Sequence, residues 1–256
     1  MDGTPTRATV PGGAPPGAHE APGAHETVVE HEHRDVTGGW VRPAVFGAMD
    51  GLVSNFALIS GVAGGGARPG TIVLAGLAGL AAGAFSMAAG EYTSVAAQAE
   101  LAQAEIEVER RELARHPHVE EAELAARYAR RGLDADLARE VARQLSRDPE
   151  RALEVHAREE LGVDPHDLPS PRLAAGSSFL AFAVGAFLPV LPYLLGSREI
   201  WPALVVALVG LFGAGALVSR VTARTWWFSG LRQLLLGTGA AAITYLVGRL
   251  VGGALG

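Results

Sequence analysis

Two apolar blocks flank a charged one along this chain. Between Pro43 and Val95 the only Asp, Glu or Arg residues are Asp50, Arg68 and Glu91. From Ala96 to Ser170 the three types crowd together, and from Leu173 to Gly256 the sequence turns apolar again. A helix of a water-soluble domain keeps one wet face, so runs without one are read as helices that meet lipid. The pattern predicts five spans, at about 43–63, 71–95, 173–195, 200–218 and 231–250. The first closes on the turn Gly64-Gly65-Gly66-Ala67-Arg68-Pro69-Gly70, and the third contains Pro189 and Pro192. Each approaches the ~20 residues that cross a ~30 Å hydrocarbon core. Gly76, Gly79, Gly83 and Gly90 in the second span, and Gly210, Gly213 and Gly215 in the fourth, give faces on which helices pack closely in lipid.

The charged block, 96–170, reads as helical: Ala, Glu, Arg and Leu dominate and β-branched residues are few. No Gly or Pro separates Glu91 from Arg115, so the second span is expected to continue into this block as one long helix. Pro117 opens a further helix and Gly132 ends it. Asp134 is the candidate cap of the next, Asp148-Pro149-Glu150 opens another, and Gly162 closes that one. The expected fold is therefore an all-α polytopic membrane protein, with a helical domain between spans two and three. Arg34 and Arg42 precede span one, and Arg220, Arg224 and Arg232 lie around the junction of spans four and five. The other two loops carry only Arg68 and Arg198. By the positive-inside rule the N-terminus and the charged domain face the cytoplasm and the C-terminus faces out, as in a multi-pass protein of the cell (inner) membrane.

Residues 1–38 are rich in Pro, Gly, Ala and His and lack the apolar core of a signal peptide, so they read as a disordered tail. The tail holds His19-Glu20, His25-Glu26 and Glu30-His31-Glu32-His33. That mixture can bind transition metals loosely or serve only as a solvated surface.

Composition narrows the chemistry. The formal net charge of -6 disfavours nucleic acid, which needs a basic stripe. Without cysteine there are no thiolate metal sites, disulfides or thiol catalysis. Neither a Gly-x-Ser-x-Gly elbow nor a P-loop occurs, so no enzyme and no ATP-driven pump is expected, and no cofactor is called for. The one Glu-x-x-His spacing, Glu30 to His33, falls in the tail and does not support a di-iron bundle.

What remains is a set of carboxylates with a few softer donors. Asp50 stands about seven residues inside span one, where a charge is expensive and hence a functional candidate, with Ser54 and Asn55 nearby. Met87 and Glu91 share one face of span two, and a thioether beside a carboxylate suits Fe²⁺ or Mn²⁺ in transit. In the charged domain Glu105, Glu109 and Glu112 share a helix face, Glu120 and Glu123 share another, and Glu154, His156, Glu159 and Glu160 lie on the last helix. From 96 to 170 there are 13 Glu and 5 Asp against 11 Arg, an excess of seven negative charges that a cation would relieve. The bland alternative is a wet surface interlaced with Arg110, Arg111 and Arg115.

These segments resemble the vacuolar iron transporter family. The matching residues are Val41-Arg42 and Gly47-Ala48-Met49-Asp50-Gly51-Leu52 in span one, and Ala81-Ala82-Gly83-Ala84-Phe85-Ser86-Met87-Ala88-Ala89-Gly90-Glu91-Tyr92 in span two. Further on come Glu159-Glu160-Leu161-Gly162 and Gly185-Ala186-Phe187-Leu188-Pro189-Val190-Leu191-Pro192-Tyr193. The resemblance implies a homodimer of five-span subunits that exchanges Fe²⁺ for protons, and the expected function is proton-coupled export of Fe²⁺ or Mn²⁺ from the cytoplasm; oxygen-rich sites select weakly, so Co²⁺ and Zn²⁺ are admitted as well. The resemblance also implies that Asp50 and Met87 form the translocation site, and that Glu109, Glu112, Glu120, Glu123 and Glu160 bind metal in the cytoplasmic domain. His156 and Ala157 stand where plant members carry methionines; His keeps a ligand and Ala loses one. Gly39, Pro43 and Gly79 replace acidic residues of plant members, and Glu91 replaces a glycine. The competing functional readings are a membrane-anchored metal sensor or store, and a membrane-anchored interaction module.

Overall fold

Residues 39–220 and 224–255 are described by the structure, a computed structural model. The tail motifs from His19 to His33 lie outside them. Among the described residues every regular element is helical. In chain order they are α1 (Val41–Gly64), α2 (Pro69–Arg115), α3 (Pro117–Arg130), α4 (Ala135–Leu145) and α5 (Pro149–His156), which continues into one π-helical turn (Ala157–Leu161). Then come α6 (Pro171–Phe187), α7 (Leu191–Leu194), α8 (Trp201–Val218) and α9 (Trp226–Leu255).

Four of these, α1, α2, α8 and α9, are long and apolar enough to cross a membrane. The stretch expected to form a single third span, 173–195, is divided between α6, an apolar helix of 17 residues, and the short α7. The prolines explain the break. Pro189 has no N–H to give, and its ring crowds the carbonyl four residues back, so the α6 hydrogen-bond ladder cannot pass through it. The chain turns tightly instead, Val190 N donating to Phe187 O at 3.1 Å, and Pro192 sits in the first turn of α7, where a missing N–H costs nothing.

The apolar bundle is organised around α1. Leu52, Phe56 and Ile59 of α1 pack with Ile72 of α2, Val190 and Tyr193 at the break, Ala207 and Leu211 of α8, and Ala241 of α9. Backbones approach closely where glycines face each other. A Cβ on Gly51 of α1 would collide with the Phe182 carbonyl of α6, and one on Gly185 of α6 with the Ala48 carbonyl of α1. Packing of this kind gains nothing from leaving water; dispersion between close backbones holds it, so a larger residue at Gly51 would push α6 away.

The charged domain grows directly out of this bundle. α2 runs unbroken for 47 residues, as the absence of Gly and Pro after Glu91 requires, and its distal part enters the domain. There Ile106 of α2 packs on Leu153 and Ala157, while Leu124 and Ala125 of α3 pack on Ala142 of α4. The helix boundaries follow their caps. Asp134 accepts from Asp136 N at 2.9 Å, and Asp148 accepts from Glu150 N at 2.9 Å and Arg151 N at 3.1 Å. Gly132 (φ 102) and Gly162 (φ 68) adopt the left-handed conformation that ends a helix.

Candidate functional site

Two groups of polar side chains stand out, one in the charged domain and one in the apolar bundle. The first is built by three segments. α2 supplies Glu109, α3 supplies Glu120 and Arg127, and α5 with its π-helical turn supplies His156 and Glu160. His156 is completely buried. Its Nδ1 lies 2.9 Å from Glu109 Oε1, 3.2 Å from Glu160 Oε1 and 3.8 Å from Glu120 Oε2. Despite these separations, both ring nitrogens of His156 and both of the nearest carboxylate oxygens are buried without an aligned hydrogen bond. Buried polar atoms without partners are rare and destabilising.

One cation would satisfy His156 Nδ1 and the two carboxylate oxygens together, with Nε2 on the far side of the ring outside its reach. Ligand atoms of Glu109, His156 and Glu160 lie within 4.8 Å of one another. Neighbouring ligands of an octahedral ion with ~2.1 Å bonds are about 3.0 Å apart, close to the two shorter separations here. One imidazole among carboxylate oxygens is a donor set for a borderline divalent metal.

The electrostatics carry the same message. Burial pushes the Glu109 carboxyl above its ordinary range, and the negative charges of Glu160, Glu123 and Glu112 add to the shift, with Arg127 opposing. Burial is also the main cause that raises Glu120, followed by the charge of Glu109. Arg127 is the positive group among them. Its Nη2 is 3.2 Å from Glu160 Oε2, its Nη1 donates to the Glu159 carbonyl at 2.9 Å, and its Nε is buried without a partner. Arg131 pairs with the Glu159 side chain at 2.5 Å.

Of the residues singled out in the sequence, Glu109, Glu120, His156 and Glu160 converge. Glu112 and Glu123 stand at the edge, Glu112 3.9 Å from His116 and Glu123 4.0 Å from Arg127. Glu105 is exposed one helical turn before Glu109 and takes no part in these contacts among the described residues. Sequence reasoning passed over Arg127, although a signal existed: it follows Glu120 by seven residues and Glu123 by four, which puts all three on one face of α3.

The second group lines a cleft of about 450 Å³ between α1 and α2, walled by Phe182 of α6. Asp50 and Ser54 face it from α1, and Ser86, Met87, Glu91 and Ser94 from α2. Asp50 is exposed, and Met87 and Glu91 are half-buried. Met87 also packs on Ala84, Phe182 and Ala186, so its thioether sits at the boundary between core and cleft. Gly83 and Gly90 keep the α2 side of the cleft low. Three of the four residues expected along a transport path thus meet in one place. The fourth, Asn55, is buried between α1 and α6, where its Nδ2 donates to the Ala186 carbonyl at 2.6 Å and its Oδ1 has no partner. Ser86 and Ser94 were not singled out beforehand; with Gly90 they follow at four-residue steps along the flank of the face that holds Met87 and Glu91.

The two groups share one helix, α2, which supplies Glu109 to the first and Met87 and Glu91 to the second. Eighteen residues of α2 separate Glu91 from Glu109, about 27 Å at 1.5 Å per residue.

The chain is similar to known proteins over most of its length. Residues 41–249 match the model of the VIT family. Vacuolar iron transporter 2 of Oryza sativa subsp. japonica is 32% identical over 229 residues, covering 87% of this chain and 92% of that protein. Vacuolar iron transporter 1 of Arabidopsis thaliana is 30% identical over 233 residues, with 88% and 92% covered. The vacuolar iron transporter of Acanthamoeba castellanii is 36% identical over 224 residues, with 84% and 76% covered.

Proposed function

The chain belongs to the VIT family of membrane metal-ion transporters, and from that premise we propose that it carries Fe²⁺ and/or Mn²⁺ out of the cytoplasm in exchange for protons. The single observation that carries this reading is the cluster of buried, unpartnered ligand atoms around His156, which takes Glu109 from the same helix, α2, that supplies Met87 and Glu91 to the cleft with Asp50.

In this reading the charged domain lies in the cytoplasm and collects the ion, with His156 Nδ1 and the Glu109 and Glu160 carboxylates as its principal ligands. Glu120 adds charge, and Glu112 and Glu123 draw cations toward the opening. Arg127 serves as the resident counter-charge that an arriving ion displaces from Glu160. Asp50 and Met87 then take the ion at membrane depth. α6 and α7 together provide the fifth crossing, and a second copy of the chain covers the open side of the cleft, where Asp50 is exposed in the single chain.

Carboxylates suit both loading and release. Ionised, they bind a hard or borderline cation; protonated, they lose both charge and lone-pair access. An inward proton gradient therefore favours discharge on the side from which protons arrive, and Glu91, one turn from Met87, is placed to accept one of those protons.

The test is metal flux into sealed proteoliposomes under an imposed pH gradient, run with Fe²⁺, Mn²⁺, Co²⁺ and Zn²⁺ in turn. The native chain should accumulate metal only when the gradient is present, and Asp50→Ala should not. Gradient-independent flux would reject proton coupling, and unimpaired flux in the variant would reject the assigned path. Binding without any flux would favour the alternative of a membrane-anchored sensor or store, for which the domain cluster alone would suffice.

A further inference from the structure

On the side of α1 away from Asp50 lies a groove of about 990 Å³ between α1, α6 and the end of α8. Its α1 wall is formed by Val45, Ala48 and Met49, and Leu180 and Val184 of α6 and Leu217 of α8 complete its apolar length. Its character changes at one end only, where Trp40, Arg172 and Arg220 meet. From Arg172 to Val184 the groove follows twelve residues of α6, about 18 Å of helix. That is close to ~15 Å, half the thickness of a hydrocarbon core.

The dimensions and the chemistry of the rim together specify an occupant. A trough one leaflet deep accepts acyl chains. An indole at its mouth sits at headgroup level, where Trp is enriched. Guanidinium groups beside it match phosphate oxygens in charge and in fork geometry. Among the described residues Arg172 is exposed and makes no ion pair or hydrogen bond with the protein, so its donors are open to a ligand. Arg220 adds positive charge at the same rim. We propose that this groove is a binding site for an anionic phospholipid of the leaflet on the arginine side, its acyl chains along α1 and α6 and its phosphate on Arg172. The site requires only that the bundle lie in a membrane, and it is independent of which ion is carried. The transport cleft opens from the opposite face of α1, so a second copy seated there leaves the groove facing lipid.

Native mass spectrometry of the full chain tests this, after purification with equal amounts of phosphatidylglycerol and phosphatidylcholine. The native protein should retain phosphatidylglycerol in preference. Arg172→Gln should lower that preference about fivefold, the effect of one basic residue near an anionic headgroup. Gly176→Phe should abolish retention of both lipids, because Gly176 lines the groove and a Cβ there meets no atom within 4 Å. The added side chain thus starts in open space and carries its ring into the groove. Equal retention of the two lipids by the native chain, or native-like retention by Gly176→Phe, would overturn the proposal. So would a change in oligomeric mass on Gly176→Phe, which would make the groove an interface between copies.

Discussion

The cluster around His156 and the cleft at Asp50 use similar donors in opposite physical settings. In the charged domain, donors from three segments are buried within a few ångströms of one another, and Glu109 and Glu120 are held above their ordinary carboxyl range. In the bundle, one exposed carboxylate, one half-buried carboxylate and a thioether are spread along an open cleft. Crowding suits a site that holds: the proposed ligands are preassembled, and a cation would relieve the repulsion among them that Arg127 only partly offsets. Sparseness makes a site that passes an ion along, because few ligands must be broken at each step. The proposed division of labour between collecting and translocating follows from that contrast.

The sharpest way to break the contrast is to alter one site and measure both properties. Asp50→Asn preserves shape and removes the charge. Flux should fall by at least about a hundredfold, since even indirect partners of a metal ligand cost ~10–100-fold. Calorimetric Mn²⁺ binding by the same purified variant should be unchanged. Glu109→Gln should do the reverse, weakening calorimetric Mn²⁺ affinity by about 10–100-fold while flux at saturating metal stays close to native. If the two variants affect both readouts alike, the sites are not functionally distinct.

Arg127→Gln should have a smaller effect and the opposite sign. Removing the resident cation should tighten Mn²⁺ binding by about fivefold, the scale of a ~1 kcal/mol ion pair. The metal-free protein should meanwhile become less stable, and added Mn²⁺ should restore its melting temperature. Weaker binding in this variant would mean that Arg127 shapes the site rather than competing for it.

The smallest expected effect is that of pH on the metal-free protein. The folded-state values of Glu109 and Glu120 are raised, so each group favours folding when protonated. That contribution is complete below the ordinary carboxyl range and is lost as pH climbs through the raised values, where ionised side chains crowd one another. The melting temperature without metal should therefore decline across this interval, and saturating Mn²⁺ should flatten or reverse the decline. A metal-free protein that gains stability over the same interval would contradict the crowding.

Local rules made much of this legible in the sequence. The length of α2 follows from the run without Gly or Pro, and the starts of α4 and α5 follow from Asp134 and Asp148. The two prolines near the end of the third apolar stretch were visible too, yet the hydropathy pattern joined across them what the backbone separates at Phe187. Periodicity told which glutamates share a face but not how far along that face the neighbouring helices dock, so Glu105 and Glu109 looked equivalent. Arg127 escaped notice because its significance depends on α5 and its π-helical turn lying beside α3, a fact about packing that no spacing along one helix contains. Asn55 is a related case: polarity marked it, and only the position of α6 reveals the carbonyl to which it donates.

The unbroken hydrogen-bond ladder of α2 makes the two sites parts of a single shaft. With no hinge between them, a tilt of about 5° at one end sweeps the other through roughly 2 Å over the ~27 Å that separates them. Phase is locked as firmly as distance: one extra residue between Val95 and Glu105 would swing the face of Glu109 around the axis by about 100°, away from His156, with Met87 and Glu91 left where they are. Loading at the far end of such a rod need not be signalled to the cleft through a chain of side chains, because the backbone itself is the linkage.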